Sequence, residues 1–389
     1  MSTKIYLDNA ATTEMLPEVT YAMEPYFIKK YGNASTTYEL GKDARNAIEL
    51  AREQVAASIM AKPSEIFFTS GGSESDNWAI KNVAGERKHL GKHIVTSKVE
   101  HHAILHSCEF MEKLGYRITY LDTDRYGQVD LAQLEKTIRD SRYSRENQVT
   151  LISVMYANNE IGTIQPIEEI GALARKYQIV FHTDAVQAVG QIPISVKRLP
   201  VDLLSASAHK FHGPKGMGFL YVREGVELSS FIHGGGQEQG KRAGTENVAG
   251  IVGMAKALTI ATAQMSAKTR ELARLRGHFL NRVLREIPES RLNGHPEKRL
   301  PGNLNFSFKN VPGTALLVLL EEEGILASAG SACSAGTTRL SHVIEAIHVP
   351  KEYAYGTIRF SMGRDTTLKD VDRTVDVLKK SVQLLRATE

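Results

Sequence analysis

Residues 204–216 read Leu-Ser-Ala-Ser-Ala-His-Lys-Phe-His-Gly-Pro-Lys-Gly, between the apolar run Val201–Leu204 and the strand-like run Gly218–Val222. Lys210 in this stretch belongs neither to an amphipathic helix face nor to a run of charges. Its small neighbours would let a ligand approach the backbone, and Gly213-Pro214 marks a turn after it. A partly buried lysine can have a pKa low enough to form an imine with a carbonyl group. An ordinary exposed loop lysine is the alternative, so other residues must decide between the two.

The composition is that of a globular enzyme. The chain has 389 residues, 42% of them hydrophobic and 24% charged, which is long enough for two domains. A net charge of +4 gives no case for a nucleic acid or an anionic membrane as partner. Two cysteines, Cys108 and Cys333, are too few for a disulfide framework and favour a reducing compartment. No signal-peptide pattern opens the chain, and its longest apolar run, residues 315–320, is too short to cross a bilayer. We therefore expect a cytoplasmic protein that contacts no membrane.

Strand and helix patterns alternate through the first half of the chain. One helix is expected around residues 19–27 and a longer one up to residue 60. The strands expected after them are residues 66–69, 93–96, 117–121, 149–155 and 179–182, with helices at residues 73–87, 102–114, 131–140 and 167–177. This order predicts a mostly parallel sheet covered by helices on both faces, with ligands beyond the carboxyl ends of its strands.

The pattern changes from about Val248. A long helix is expected to about Arg285, and strands at residues 303–308 and 357–361, a helix at 314–323 and a closing amphipathic helix follow. We interpret this part as a smaller α/β domain that the first residues join. The predicted division is a large domain of residues 15–258 and a small domain of residues 1–14 and 259–389.

Glycines follow the first strand of the predicted sheet. Residues 69–73 read Thr-Ser-Gly-Gly-Ser and link that strand to a helix. Backbone N–H groups at such a helix N-terminus can point at a phosphate, and the Ser73 hydroxyl would add another donor. Ser73 could equally be a plain N-cap residue.

Two further strands also end in polar residues. Glu100-His101 follows one strand, and Asp184 follows another. A carboxylate in that position can pair with the protonated nitrogen of a pyridoxal ring and keep the ring electron-poor. Taken singly, His101 could simply cap a helix and Asp184 could begin one. The combination favours a pyridoxal 5′-phosphate site, because a turn suited to phosphate, a histidine, a carboxylate and Lys210 all follow strands of one sheet.

Seven motifs across the chain resemble those of NifS/IscS-type cysteine desulfurases. They are Leu7-Asp8-Asn9-Ala10-Ala11-Thr12-Thr13, Phe68-Thr69-Ser70-Gly71-Gly72-Ser73-Glu74-Ser75-Asp76-Asn77, Asn158-Asn159-Glu160-Ile161-Gly162, His182-Thr183-Asp184-Ala185-Val186-Gln187, Arg242-Ala243-Gly244-Thr245-Glu246-Asn247, Gly330-Ser331-Ala332-Cys333 and Ile358-Arg359-Phe360-Ser361. The resemblance runs nearly end to end. It implies an α/β protein of the aspartate-aminotransferase-like fold (fold type I), pyridoxal 5′-phosphate as cofactor, and a homodimer with residues of both subunits at each site.

The resemblance also implies a role for each matching residue. Lys210 resembles the Schiff-base lysine, His101 the histidine stacked on the cofactor ring, and Asp184 the partner of the pyridine nitrogen. Gln187 and Asn159 match contacts to the ring hydroxyl. The phosphate contacts would come from Gly72, Ser73, Ser207 and His209, and from Thr245 of the neighbouring subunit. Arg359 resembles the arginine that binds the substrate carboxylate, with Asn33 and Asn159 assisting. His209 could still be only a packing histidine.

The neighbours of the two cysteines differ. Cys333 has almost only small neighbours, so we expect a mobile loop that lets its thiol move between a closed site and another protein. Cys108 lies among apolar residues and is assigned to packing. The resemblance implies that L-cysteine yields L-alanine and a Cys333 persulfide. The sulfur would pass to an acceptor for iron–sulfur cluster assembly or tRNA thiolation, and with a cluster scaffold as partner Cys333 could transiently ligate the nascent cluster.

The sequence departs from the family pattern at two places, and the first of them leaves the choice of acceptor open. Residues 337–340 read Thr-Thr-Arg-Leu where Ser-Leu-Glu-Pro is usual, and Asn33-Ala34 stands where Asn-Pro is usual. A selenocysteine lyase or another fold-type-I aminotransferase is the alternative enzyme. A non-catalytic sulfur or metal scaffold using His101, His102, His106 and Cys108 is the alternative class, although their spacing is no recognised ligand set, and we predict no metal site.

Overall fold

The computed structural model describes residues 4–329 and 340–387. The strands within these ranges are β1 (Ile5–Tyr6), β2 (Ile66–Thr69), β3 (His93–Ser97), β4 (Arg117–Leu121), β5 (Val149–Ser153), β6 (Val180–Asp184), β7 (Leu203–Ser207), β8 (Gly218–Val222), β9 (Ser290–Leu292), β10 (Asn303–Phe308), β11 (Ile325–Leu326) and β12 (Thr357–Ser361). The α-helices within them are α1 (Pro17–Met23), α2 (Pro25–Ile28), α3 (Glu39–Ile59), α4 (Gly72–Glu86), α5 (His102–Lys113), α6 (Leu131–Ser141), α7 (Ile167–Lys176), α8 (Val248–Glu286), α9 (Gly313–Glu322), α10 (His342–Ala346), α11 (Lys351–Ala354) and α12 (Leu368–Ala387).

A seven-stranded sheet in the order β2-β8-β7-β6-β5-β3-β4 forms the centre of the molecule. The strands from β7 to β4 pair in parallel, and β8 is antiparallel to both of its neighbours. The carboxyl ends of β3, β6 and β7 therefore lie at one edge, where ligands of such sheets bind. The prediction of a mostly parallel sheet is confirmed.

Apolar side chains cover both faces of this sheet. Phe181 and Phe219 belong to a core cluster on one face, and Phe67, Trp78 and Leu220 belong to a cluster on the other. Buried β-branched and aromatic residues on both faces explain why these strands read as continuous apolar runs in the sequence. The expectation of helices on both faces is confirmed.

Two smaller sheets, one of three strands in the order β12-β10-β9 and one of the two strands β1-β11, contribute to a separate core cluster. It contains Phe279, Phe306 and Phe360, together with Ile5 and Leu7 from the start of the chain. Helix α8 contributes residues to both this cluster and the cluster around Phe181. The predicted boundary near residue 258 falls inside α8, and the division into two domains stays a prediction.

Among the helices of the described ranges, only α8 is long and apolar enough to cross a membrane, judged by length and composition alone. Half of its most apolar window is nevertheless buried inside the protein. The helix packs on α1, α3 and α12, as a core helix does.

Two details differ from the prediction. The helix expected around residues 19–27 is broken into α1 and α2 at Pro25, because proline has no N–H to donate to the preceding turn and its ring clashes with it. Strand β5 ends at Ser153 instead of residue 155, because the backbone N–H of Met155 donates to the Glu100 carboxylate instead of to a neighbouring strand.

Candidate active site

A cavity of about 270 Å³ opens at the carboxyl edge of the central sheet. Ten of the predicted site residues line it, namely Gly72, Ser73, His101, Asn159, Asp184, Gln187, Ser207, His209, Lys210 and Arg359. The residues predicted at the ends of different strands therefore lie together in one site.

Three predicted residues are not among those that line the cavity. Asn33 is exposed, and its side chain accepts a hydrogen bond from the Ser35 N–H. Thr245 is also exposed and lines a separate cavity next to Arg242. Cys333 lies outside the described residues.

Lys210 ends a short 3₁₀ turn that follows β7. Its ammonium donates to the carbonyl oxygens of Ala10 and Ala11, at 2.6 and 2.8 Å. Thr13 fastens the same N-terminal segment, because its hydroxyl donates to the His209 carbonyl and accepts from the His212 N–H. The beginning of the chain therefore forms one wall of the site and holds the lysine side chain in the cavity.

The N-terminus of α4 points into the cavity beside Ser207 and His209. Gly71 precedes this helix with φ +152°, a backbone conformation that favours glycine. A Cβ on Gly72 would lie 2.5 Å from Val186 Cγ2, so only glycine lets the helix begin this close to β6. The unpaired N–H groups of such a helix end bind anions.

Asp184 ends β6 at the opposite side of the cavity. Its Oδ1 accepts the Val186 N–H at 2.9 Å, and its side chain is almost fully buried. Burial raises the pKa of Asp184 to about 6, while the charge of Lys210 acts against that rise. A cationic pyridine nitrogen bound beside it would lower the pKa again and keep the group ionised.

His101 is the N-cap residue of α5. Its Nδ1 accepts the Ala103 N–H at 3.2 Å, so the neutral ring carries its proton on Nε2. Burial, and then the charge of Lys210, lowers the pKa of His101 to about 4. Burial likewise lowers the pKa of His209 to about 4, and its Nδ1 lies 3.1 Å from Thr12 Oγ1. Both rings are therefore neutral in the substrate-free protein at neutral pH.

Arg359 on β12 reaches the cavity from the side of the smaller sheets. Its Nη1 donates to the Asn159 carbonyl at 3.0 Å, and its Nη2 donates to Asp8 Oδ1 at 2.6 Å. Its buried Nε has no hydrogen-bond partner among the described residues. A buried guanidinium with an unpaired N–H is suited to receive a carboxylate.

The residues on both sides of the undescribed segment contact the site. Ser328 pairs with Arg359 through two backbone hydrogen bonds. The Ser341 hydroxyl donates to Glu160 Oε2 at 2.6 Å, and His342 Nε2 lies 2.9 Å from the Glu100 carbonyl oxygen. Ser328 therefore lies beside the cavity residue Arg359, and Ser341 and His342 contact the sequence neighbours of the cavity residues Asn159 and His101.

The alternative metal scaffold finds no support in the geometry. Among the described residues, the only group of three or more metal-ligating side chains with suitably close atoms is Asp76, His101 and Asp184, inside the cavity. The rings of His102 and His106 stack at 5.1 Å, and Cys108 is buried with a raised pKa, mainly because of burial. The assignment of Cys108 to packing fits these observations.

Sequence reasoning missed Asp76 and the carbonyl groups of Ala10 and Ala11. Asp76 follows Gly72 by four residues on α4, a spacing that puts both on one helix face and was a usable signal. Carbonyl groups carry no side-chain signal, so only the fold could show the role of residues 10 and 11.

Known proteins resemble this chain along nearly its whole length. A family model described as aminotransferase class-V matches residues 5–374. Cysteine desulfurase IscS of Dictyoglomus turgidum is 52% identical over 386 residues, which cover 99% of this chain and 96% of that protein. Cysteine desulfurase IscS of Methanosarcina thermophila is 50% identical over 382 residues, which cover 98% and 93%. A solved structure described as a NifS-like protein has a TM-score of 0.90 at 37% identity and covers 98% of this chain and 100% of its own.

The chain belongs to the class-V aminotransferase family and is a NifS/IscS-type cysteine desulfurase.

The desulfurase depends on pyridoxal 5′-phosphate, acts on L-cysteine and passes the sulfur to acceptor proteins. The cavity fits this cofactor, because it offers an anion-binding helix end, a carboxylate at the other side and a lysine between walls of small residues. The fold, the cysteine desulfurase function and the cofactor expected from the sequence are confirmed.

Proposed function

We propose that Lys210, His101 and Cys333 carry the desulfuration. The observation that supports this most strongly is that Lys210 and Arg359, one to bind the cofactor and one to bind the substrate, line a single cavity. Pyridoxal phosphate supplies an electron sink for bond breaking at the substrate α-carbon. Lys210 Nζ removes the α-proton, and the Cys333 thiolate attacks the substrate sulfur. The S–S bond forms as the C–S bond breaks, and the β-carbon keeps the electron pair of the broken bond. Protonation of the β-carbon and return of a proton to the α-carbon then leave L-alanine and a Cys333 persulfide.

His101 moves protons near the departing sulfur. Its Nδ1 is occupied by the Ala103 N–H, so Nε2 is the atom that holds the transferable proton. The low pKa of His101 means that the ring is neutral at rest and gives up this proton only after it has taken up another proton from the substrate.

The remaining residues bind and orient. Asp184 pairs with the pyridine nitrogen, and Gln187 and Asn159 contact the ring hydroxyl side. The helix end at Gly72 and Ser73 binds the phosphate together with Ser207 and His209. Arg359 binds the substrate carboxylate with the help of Asn159 and Asn33, since a guanidinium forms paired hydrogen bonds with a carboxylate that a lysine cannot.

The enzyme works as a homodimer in which Thr245 reaches the phosphate of the neighbouring subunit. Thr245 is exposed and is not among the residues that line the cavity of its own chain, as expected of a residue that serves another site. Large apolar side chains around α1 and α2, among them Tyr21, Phe27 and Tyr31, are 61–70% exposed, which supports burial against a second copy.

We further assign a large domain to residues 15–258 and a small domain to residues 1–14 and 259–389, which carries the Cys333 segment. The acceptor is an iron–sulfur scaffold, with Cys333 a transient cluster ligand, or a tRNA-thiolation enzyme. The location is cytoplasmic, without direct contact to a nucleic acid or a membrane.

Chemical trapping tests the assignment of Lys210. Borohydride treatment of the pyridoxal-phosphate-loaded enzyme should fix the cofactor to the peptide that contains Lys210, and Lys210→Ala should lose both this adduct and alanine formation. Lys215→Ala, five residues away, is the matched control and should keep both. An adduct on another lysine would remove Lys210 from its assigned role.

A further inference from the structure

The active-site cavity contains a carboxyl group that the proposed mechanism does not use. Asp76 on α4 lines the cavity with a side chain that is only 2% exposed. One of its oxygens, one Asp184 oxygen and one His101 ring nitrogen all lie within 4.8 Å of one another. Two carboxyl groups therefore share the side of the cavity assigned to the pyridine nitrogen.

The surroundings of Asp76 do not favour a negative charge. Its Oδ1 is buried and has no hydrogen-bond partner in the part of the chain that the structure describes. The basic side chain of His182 lies beside it, with Nε2 at 3.7 Å from Asp76 Oδ1. His182 lies between the hydroxyls of Ser153 and Ser205, at 2.9 Å each, and burial lowers its pKa to about 3, so the ring is neutral.

The other charged groups around Asp76 are mostly acids. Asp184 faces it from β6 and Glu100 from the end of β3, while Lys210 and His101 line the same cavity. Burial, followed by the charges of Asp184 and Glu100, raises the pKa of Asp76 well above its ordinary value against a hydrogen bond from Ser205. Burial also raises the pKa of Glu100 to about 8. Buried carboxyl groups this close together cannot all be ionised.

Glu100, with its raised pKa, also favours the neutral form at neutral pH, so the choice of the ionised group lies between Asp76 and Asp184. Asp184 accepts the Val186 N–H, which favours its ionised form. Asp76 Oδ1 accepts nothing from the described residues, so its protonation sacrifices no bond to that atom.

We propose that Asp76 is a neutral carboxylic acid at neutral pH and acts through Asp184, so that the pyridine side of the site carries one negative charge instead of two. Asp76 is then a positioning residue, because one of its carboxyl oxygens lies within 4.8 Å of an Asp184 oxygen and a proton held there limits how basic the Asp184 carboxylate becomes. The proposal rests on the role of Asp184 proposed above.

Infrared spectroscopy of the pyridoxal-phosphate-loaded enzyme reads this proton directly. Protein labelled with ¹³C at the aspartate side-chain carboxyl separates aspartic acid bands from those of Glu100. A carbonyl band of a protonated aspartic acid should be present at neutral pH, disappear in Asp76→Asn and remain in Asp202→Asn, a change of a half-buried aspartate outside the cavity. Absence of the band from the unmodified enzyme, or its persistence in Asp76→Asn, would overturn the proposal.

A pH titration of the visible absorbance of the bound cofactor tests the coupling. Asp76→Asn replaces one neutral hydrogen-bond donor by another, so the midpoint of this titration should stay within about 0.3 pH units of that of the unmodified enzyme. Loss of a nearby unit charge would instead shift the midpoint by about one to two pH units. Asp76→Leu, which has no donor, should raise the midpoint, and the Asn variant should restore it. A fall of about one unit in Asp76→Asn, or an unchanged midpoint in Asp76→Leu, contradicts the proposal.

Asp184→Asn distinguishes the proposal that Asp76 is protonated from the proposal that Asp184 pairs with the pyridine nitrogen. If Asp184 pairs with the pyridine nitrogen, this variant binds the cofactor more weakly. Unchanged cofactor binding in Asp184→Asn would refute the role of Asp184, while the infrared band still reports the protonation of Asp76.

Discussion

At the scale of single residues, the key side chains of the site already form hydrogen bonds within the protein before a ligand binds. Lys210, Arg359 and His101 each have part of their bonding capacity occupied by the protein's own backbone. These contacts orient the side chains before any ligand arrives and reduce the entropy lost on binding.

Arg359→Lys tests the carboxylate contact. Lysine keeps the charge but loses the paired geometry, so we expect the KM for L-cysteine to rise about 10- to 100-fold, equivalent to about 1.5–3 kcal/mol for a charged hydrogen bond. Steady-state kinetics measure this. Arg373→Lys, a change of a half-buried arginine on α12 that does not line the cavity, should leave the KM unchanged. A loss of kcat at constant KM would contradict the assignment.

His182 makes the protein less stable in acid. Its pKa is about 3 when folded and about 6.5 when unfolded, so between these values the unfolded chain binds a proton that the folded chain does not. The free energy of unfolding should therefore fall as the pH decreases below about 6.5, by up to about 1.4 kcal/mol per pH unit from this group.

Urea unfolding of the cofactor-free protein at a series of pH values measures this dependence. His182→Asn should flatten the acid side of the stability profile, and His348→Asn, an exposed control, should not. A profile with equal slopes for the wild type and His182→Asn would show that His182 takes up its proton without unfolding.

At the scale of elements, long periodic segments could be predicted from the sequence and short ones could not. The strands β2, β4, β10 and β12 begin and end where their apolar patterns do. The elements β9, β11, α10 and α11 have two to five residues, too few for a period to show, and they form because the surrounding fold supplies their partners.

The part of the candidate site that lies at strand ends could be predicted from the sequence. Asp184, His101 and Lys210 follow β6, β3 and β7, so the sheet itself brings them together. Asp76 lies inside a helix, and Asp8 contacts Arg359 only because β1 and β12 meet near the same cavity. Such long-range contacts depend on the packing of the whole chain.

Helix α4 carries two glycines with opposite surroundings. Gly72→Ala would place a Cβ 2.5 Å from Val186, displace the helix end and weaken pyridoxal phosphate binding by about tenfold or more, as loss of one charged hydrogen bond would. Gly85→Ala meets no atom within 4 Å and should stabilise the protein by up to about 1 kcal/mol. Cofactor titration and thermal unfolding measure the two effects. Equal cofactor affinity in both variants would refute the phosphate assignment.

At the scale of the whole molecule, the site is incomplete in one chain if Thr245 serves a neighbouring subunit. Thr245→Ala should weaken cofactor binding, and Lys210→Ala should abolish activity. In a mixed dimer of the two variants, one site combines Lys210 of one chain with Thr245 of the other and is intact. Coexpression should therefore restore part of the activity. No recovery in verified mixed dimers would show that Thr245 acts within its own subunit.

Mass spectrometry of the enzyme after brief incubation with sulfur-labelled L-cysteine tests the central claim most directly, because it locates the transferred sulfur. The peptide that contains Cys333 should gain the mass of one labelled sulfur atom, the peptide that contains the buried Cys108 should not, and Lys210→Ala should abolish the gain. Labelled sulfur on Cys108, or a labelled Cys333 in Lys210→Ala, would contradict the claim that the Lys210 cavity delivers sulfur to Cys333.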